Sequence, residues 1–331
     1  MPGSVTSVFS EVEDFAAALR EEGCLGLLVT GPGQFRARLT QVALQRMRLS
    51  AVEEHLPRIA LVAVPADMIL VSLSRGSGPA PIWGGIRIGA GEIMTLGPGR
   101  HLHMRTDGPC RWGSIWLSAP ELVRYGSALT GAAFAVPSAA RWWRPRPAMG
   151  THLRHLHSAA IEAVESRSRA LIGAEAAHGL EQQLIDALVE CLSKGSAIVV
   201  APATREHQDV AVRFESLLQP QPERYLRMAE ICSALGVSAR TLRLGCEEAL
   251  GMGPAEYARR GRMQLVHHTL CRGGPDAASV VEVARRHGFR GPGRFAASYR
   301  TLFGELPSAT LRRGSGQEMS RLSLRRRRSR V

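Results

Sequence analysis

The sequence predicts a protein of two parts, mixing α and β. A β-rich N-terminal domain, closed as a barrel and flanked by helices, precedes an all-helical C-terminal domain of two helix-turn-helix units. Three observations predict this. Between Leu25 and Leu117 short apolar runs recur with Gly- and Pro-containing breakers between them, the pattern of a small all-β sandwich or barrel. After Ser118 the apolar spacing becomes helical. Residues 223–313 repeat themselves at an offset of 52 to 53 positions.

Composition narrows the class. The chain has 331 residues, 45% hydrophobic and 21% charged, enough apolar matter for about two cored domains and too much for a largely disordered protein. Its most apolar stretch, Ile59 to Leu73, is broken by Pro65 and Asp67 and is shorter than the ~18 residues of a membrane span, so no membrane partner is expected. Met1-Pro2-Gly3-Ser4 does not open a secretory signal. Six cysteines without a Cys-x-x-Cys pair frame neither disulfides nor zinc. The expectation is reduced thiols in a cytoplasm. Charge is uneven: of the net +13, the last 127 residues carry +11. A basic half beside a near-neutral half points to a polyanion partner. Lys194 is the sole lysine, so the positive charge is arginine, which grips phosphate or guanine through paired hydrogen bonds.

The elements follow in order. Glu11 to Glu22 reads as a short amphipathic helix with Phe15, Ala18 and Leu19 on one side. Strands are expected at Leu25–Thr30, Phe35–Leu44, Ile59–Val64, Met68–Leu73, Ile82–Ile88, Glu92–Leu96 and Gly113–Leu117, giving a β domain over 1–150. Thr151 to Val164 places Leu153, Leu156, Ile161 and Val164 on one helix face. Glu175 to Leu192 carries a stripe of Leu180, Leu184, Leu188 and Leu192, with Ile185 and Val189 beside it. These stripes suit either packing onto the barrel or pairing with a second copy, and 151–194 is taken as a helical dimerisation region. Residues 195–220, with Pro202-Ala203-Thr204, read as a linker. The C-terminal domain spans 221–313, and 314–331, with Arg325 to Arg328, reads as a disordered basic tail whose DNA contacts would be salt-sensitive and sequence-blind.

The repeat has the logic of two helix-turn-helix units. In the first, Cys232 and Gly236 are four apart, followed by Val237, Leu242, Cys246, Leu250-Gly251 and Pro254; in the second, Ala284 and Gly288 are followed by Phe289, Phe295, Tyr299, Phe303-Gly304 and Pro307. The glycine permits the turn. Ser238 is a good N-cap for one second helix, and Pro292 suits the start of the other. Gly251 and Gly304 end them. Pro254 to Leu270 reads as a connecting helix roughly 25 Å long, of the order needed to hold two recognition helices about one DNA turn apart.

These residues resemble the DNA-binding domain of the AraC/XylS family of bacterial transcription regulators. The resemblance rests on Leu235-Gly236-Val237-Ser238-Ala239-Arg240-Thr241-Leu242, on Leu250-Gly251-Met252-Gly253-Pro254-Ala255-Glu256-Tyr257, on Val283-Ala284-Arg285-Arg286-His287-Gly288-Phe289, and on Gly293-Arg294-Phe295 with Leu302-Phe303-Gly304-Glu305-Leu306-Pro307. It covers just over a quarter of the chain; the N-terminal half is similar in organisation to family members with a cupin-like effector or dimerisation domain. The resemblance implies a sequence-specific transcription regulator, an effector-responsive activator, whose two second helices enter successive major grooves of double-stranded DNA. RNA polymerase, a small-molecule effector and a second copy of the chain are the implied partners. The matching outward positions are Ser238, Ala239, Arg240, Thr241, Arg243 and Leu244, then Arg290, Gly291, Pro292, Gly293, Arg294, Ala297 and Ser298. Arg240, Arg243 and Arg294 are the best base readers, since a bidentate contact to guanine discriminates by ~1–3 kcal/mol. Arg259, Arg260 and Arg262 fit phosphate contacts or solvated positions. The sequence departs from the family at Leu244 and Cys246, and Gly245 weakens its helix by roughly 1 kcal/mol against Ala. Gly291-Pro292-Gly293 offers little side chain for base contacts.

In the N-terminal half Trp83, His101, His103, Arg105, Trp112 and Trp116 are candidates for an effector pocket, since pockets are mostly apolar with a few polar anchors. His101-x-His103 with Asp107 is the sharpest metal-ligand spacing, because residues two apart on a strand share a face. It is similar to the His-x-His motif of metal-binding cupins, with Asp for the usual Glu and no obvious second-motif histidine. The alternative function is therefore a metal-dependent cupin enzyme fused to a DNA-binding domain. A reactive Cys110 beside Arg111, as in a DNA-repair methyl acceptor, lacks a four-cysteine zinc constellation. The expectation is a non-enzyme with no catalytic residues, metal or cofactor.

Overall fold

The computed structural model describes residues 4–76, 78–166, 174–219, 226–272 and 279–314. The basic run Arg325 to Arg328 lies outside them. The β region is two open antiparallel sheets. The larger runs β1 (Val5–Phe9), β3 (Ala37–Ala43), β4 (Met47–Glu54), β11 (Cys110–Ser118), β6 (Met68–Ser74), β9 (Ile93–Leu96), β12 (Arg141–Arg144), β13 (Ser196–Ile198). The smaller runs β2 (Cys24–Val29), β5 (Arg58–Ala63), β10 (His101–Thr106), β7 (Ile82–Trp83), β8 (Ile86–Arg87). Each sheet ends in edge strands, so the expected closed barrel is instead a pair of facing sheets.

Side-chain alternation explains the stacking. On β11, Trp112 and Trp116 point into a core shared with Ala60, Val62, Leu102 and Met104 of the smaller sheet and with Phe15 of α1 (Val12–Leu19). Their neighbours Ile115 and Leu117 point the other way, onto α2 (Ala119–Thr130), α3 (Pro147–Glu165) and α4 (Ala174–Lys194). A central strand covered on both faces is buried nearly throughout.

This settles the leucine stripe. Leu180, Leu184, Leu188 and Leu192, with Ile185 and Val189, are buried against Leu49, Ile69, Val71 and Ile115 of the larger sheet. Period alone cannot say which surface a stripe meets; here it is the chain's own sheet, and the stripe is closed to a second copy.

The stretch 195–220 also differs from the expected linker. It holds β13, paired with β12, and α5 (Pro202–Leu218), a 17-residue helix with Pro202 in its first turn. Proline there lacks only an N–H that no helix would satisfy. α5 buries Val210, Ala211 and Phe214 in the core of the first helix-turn-helix unit, and Leu28 and Ile59 of the smaller sheet join that same core. The layers are thus α2–α4, larger sheet, smaller sheet, then α5 with the C-terminal helices.

Candidate nucleic-acid interface

The C-terminal helices are α6 (Met228–Leu235), α7 (Ala239–Leu250), α8 (Pro254–Arg272), α9 (Val280–Arg286) and α10 (Pro292–Phe303), followed by a helical stretch over 307–314. The sequence repeat is a structural repeat. Gly236 and Gly288 take left-handed φ of 65° and 81°, where a side chain would be strained. The next amide closes the turn in both: Val237 N–H donates to the Cys232 carbonyl at 3.1 Å, and Phe289 N–H to the Ala284 carbonyl at 2.9 Å. Ser238 caps α7, its hydroxyl accepting from Thr241 N–H at 3.0 Å; Pro292 opens α10.

One helix serves both units. Tyr257, near the start of α8, packs in the first core with Leu242, Cys246 and Leu250. Met263, Val266 and Leu270, further along, pack in the second with Val283, Phe295 and Tyr299. At 19 residues α8 is a beam about 28 Å long. A buried polar chain closes the second unit: Tyr299 O–H donates to the Thr310 hydroxyl at 2.9 Å, and Thr310 to Glu305 at 2.6 Å. His267 Nδ1 meets the Tyr299 oxygen at 2.6 Å, and Arg313 pairs with Glu305. That chain ties 307–314 to α8 and α10 and was invisible in the sequence.

The expected reading positions divide by exposure. Ser238, Ala239, Arg240, Arg243, Arg290, Gly291, Pro292, Gly293, Arg294 and Ala297 are exposed; Thr241, Leu244 and Ser298 are half-buried. Arg240, Arg290 and Arg294 make no ion pair among the described residues. Arg243 faces Glu247 at 3.8 Å with both side chains largely exposed, a pairing worth little. Thr241 turns its hydroxyl to Ser238. Ser298 lines a crevice with Thr30 and Pro32 of the N-terminal domain.

The arginines of α8 are placed differently from the expectation. Arg259 and Arg260 both pair with Glu256. Arg260 also donates to the Thr30 carbonyl, and Arg262 is buried with its guanidinium over Phe289. Four and eight residues after Arg260, Gln264 and His268 continue the same helix face. The Gln264 amide donates to the Leu27 carbonyl at 2.9 Å and accepts from Val29 N–H at 3.3 Å, so it takes the place of a neighbouring strand on the free edge of β2. His268 lies 3.6 Å from Glu13 of α1. The seam is extended by Gln208 of α5, donating to the Gly84 carbonyl at 2.8 Å. The four-residue spacing of Arg260, Gln264 and His268 puts the three on one helix face, but it does not say which surface that face meets.

The expected effector pocket is split by the strand alternation. Trp83, Trp112 and Trp116 are buried between the sheets. Trp83 donates to the Ser72 hydroxyl and Trp112 to Glu54. His101, His103 and Arg105 sit on the opposite face of β10 from Leu102 and Met104: His101 is exposed, while His103 is buried 3.6 Å from Glu215 of α5. Arg105 pairs with Asp107, which also takes Arg87, so that carboxylate is held by guanidiniums. Among the described residues no three His, Cys, Asp or Glu side chains group as metal ligands. Burial pushes the Cys110 thiol up to about 12, the reverse of an activated nucleophile.

Against known proteins, residues 231–313 match the family model of a helix-turn-helix domain. The probable thc operon regulatory protein of Rhodococcus erythropolis is 37% identical over 95 residues, covering 29% of this chain and 29% of its own. The XylDLEGF operon transcriptional activator 1 of Pseudomonas putida is 33% identical over 101 residues, covering 30% of each. The chain thus spans less than a third of the length of these relatives. A crystal structure of a probable AraC family transcriptional regulator from Rhodopseudomonas palustris is 30% identical, covering 32% of this chain and 97% of that one, with a TM-score of 0.30. The C-terminal helix-turn-helix domain is thus of the AraC type, and the relatives it matches are AraC/XylS-type regulators.

Proposed function

We propose that the protein is a sequence-specific DNA-binding transcription regulator, an effector-responsive activator acting through RNA polymerase. The observation that carries this is the pair of helix-turn-helix units built on one helix, α8, with Arg240 and Arg294 exposed on α7 and α10 and in no ion pair among the described residues. The activator role is supported by the relatives' names, which describe operon activators. In this reading α7 and α10 enter successive major grooves, using Ser238, Ala239, Arg240, Thr241, Arg243, Leu244, Arg290, Pro292, Gly293, Arg294 and Ser298. The N-terminal domain, cupin-like in its two facing antiparallel sheets, senses the effector. A homodimer must use a surface other than the buried leucine stripe of α4. No helix among the described residues is long and apolar enough to cross a membrane, and we place the protein in the cytoplasm.

The test is selection from random duplexes, then a salt titration on the best site. Two contacted segments about one helical turn apart are expected, with a steep linear loss of log affinity against log salt. Arg240→Ala and Arg294→Ala should each lower specific affinity by about 1–3 kcal/mol and leave thermal unfolding unchanged. Equal binding of selected and random DNA by the wild type would refute the proposal.

A further inference from the structure

A cavity of about 440 Å³ lies between the N-terminal domain and the DNA-binding half, apart from the reading surface and from the tryptophans between the sheets. Its volume is that of a small-molecule site, and such sites favour domain seams. Its apolar wall includes Val12, Leu25 and Leu27 on one side and Leu218 and Leu265 on the other. Glu215 lines it with a side chain only 12% exposed. One carboxylate oxygen, Oε2, accepts from the Tyr257 hydroxyl and lies 3.6 Å from His103 Nε2. The other, Oε1, accepts no hydrogen bond among the described residues. It faces Gly26, where a Cβ would stand 3.3 Å from it. Behind Glu215, His103 is fully buried with neither ring nitrogen hydrogen-bonded.

A nearly buried carboxylate with an open oxygen asks for a donor. The remaining charges on the wall do not favour an anion. Glu13 and His268 face each other; Arg262 lies over Phe289; Arg20 is exposed and therefore worth little to a counter-charge. We propose that this cavity binds a small organic cation, its ammonium group hydrogen-bonded to Glu215 Oε1 and its apolar body lying on Leu25, Leu27, Leu218 and Leu265. Such a ligand bridges α5 and α8 to β2, beside the Gln264 contact, and stabilises the docked arrangement of the two halves by mass action.

Tryptamine, tryptophol and indole-3-propionate share a ring and differ in the end group. Calorimetric titration of the full chain without DNA is expected to show one tryptamine site, with the alcohol and the carboxylate weaker by about tenfold or more. Glu215→Gln keeps an acceptor for Tyr257; it should weaken tryptamine about tenfold and leave tryptophol unchanged. Gly26→Val fills the space beside Oε1 from an edge strand, and Leu265→Trp fills the apolar wall; each should weaken tryptamine. Absence of tryptamine binding to the wild type, equal binding of the carboxylate, or binding indifferent to all three substitutions overturns the proposal. With no DNA in the cell, that outcome is independent of the regulator reading.

Discussion

Glu54 and Arg58 form an ion pair whose side chains are 0% and 1% exposed. Arg58 Nε and Nη2 donate to the two carboxylate oxygens at 2.8 and 3.1 Å, and Trp112 Nε1 donates to Glu54 at 2.8 Å. Removing one partner strands the other in the core, at a cost of about 3–5 kcal/mol. Glu54→Leu should therefore destabilise by that amount in chemical denaturation, and the double variant Glu54→Leu/Arg58→Met should recover much of it. A double variant no better than the single would show that the pair does not share its cost. His157 makes a second residue-scale prediction. It is fully buried on α3 beneath Gly113, and burial together with Arg75 pushes it down to about 3. The unfolded imidazole takes its proton near pH 6.5, while the folded one stays neutral until about pH 3. The unfolded state thus binds more protons between those values, and stability falls as pH drops through that window, by up to ~1.4 kcal/mol per pH unit. His267 in the second unit is also held low by burial, with the same sign. His157→Gln should flatten the pH dependence of the denaturation midpoint below pH 6.5; an unchanged slope would remove His157 as a cause.

At the scale of elements, Gly245 is the instructive position. Helix propensity disfavours it by about 1 kcal/mol, yet a Cβ there would stand 3.1 Å from the His207 carbonyl of α5. The glycine lets α5 and α7 approach. Gly245→Val should lower stability by about 1–3 kcal/mol through overpacking, although Val is the better helix former. Gly261 on α8 has nothing within 4 Å of such a Cβ, so Gly261→Ala should raise stability by about 0.8–1 kcal/mol. Thermal unfolding of both variants checks the contrast; equal effects would mean that packing at Gly245 does not decide. This position also shows what the sequence hides. α7 and α10 were legible because Ser238, Gly251, Pro292 and Gly304 mark their ends by local chemistry. α5 was not, since Pro202 at its first turn looks like a breaker and its buried apolar residues are only Val210, Ala211 and Phe214. The exposed arginines of the candidate site were legible for the same local reason. Its seam was not: Gln264 meets Val29 across 235 positions, and no periodicity reports a partner that distant. Alternation likewise identified strands without saying that they form two open sheets, or that His103 and Trp83 look to opposite sides.

At the scale of the molecule, the helical half is continuous with the sheets. Leu28 and Ile59 share a core with α5, α6, α7 and the start of α8, so the first helix-turn-helix unit is finished by residues outside the 231–313 match. The second unit draws its core from α8 onward. The two units therefore depend unequally on what precedes them. A fragment beginning at residue 226 lacks Val210, Ala211 and Phe214, all nearly unexposed in the whole chain, and burial of each larger side chain is worth about 1.5–3 kcal/mol. A fragment beginning at residue 200 retains them and, of the residues in that core, loses only Leu28 and Ile59. The longer fragment should unfold in one cooperative transition. The shorter should show fast amide exchange across α6 and α7 while α9 and α10 stay protected. On DNA, it should keep the footprint of one unit and lose that of the other. Equal protection of both units in the shorter fragment would place the boundary at residue 226 and reduce α5 to a connector.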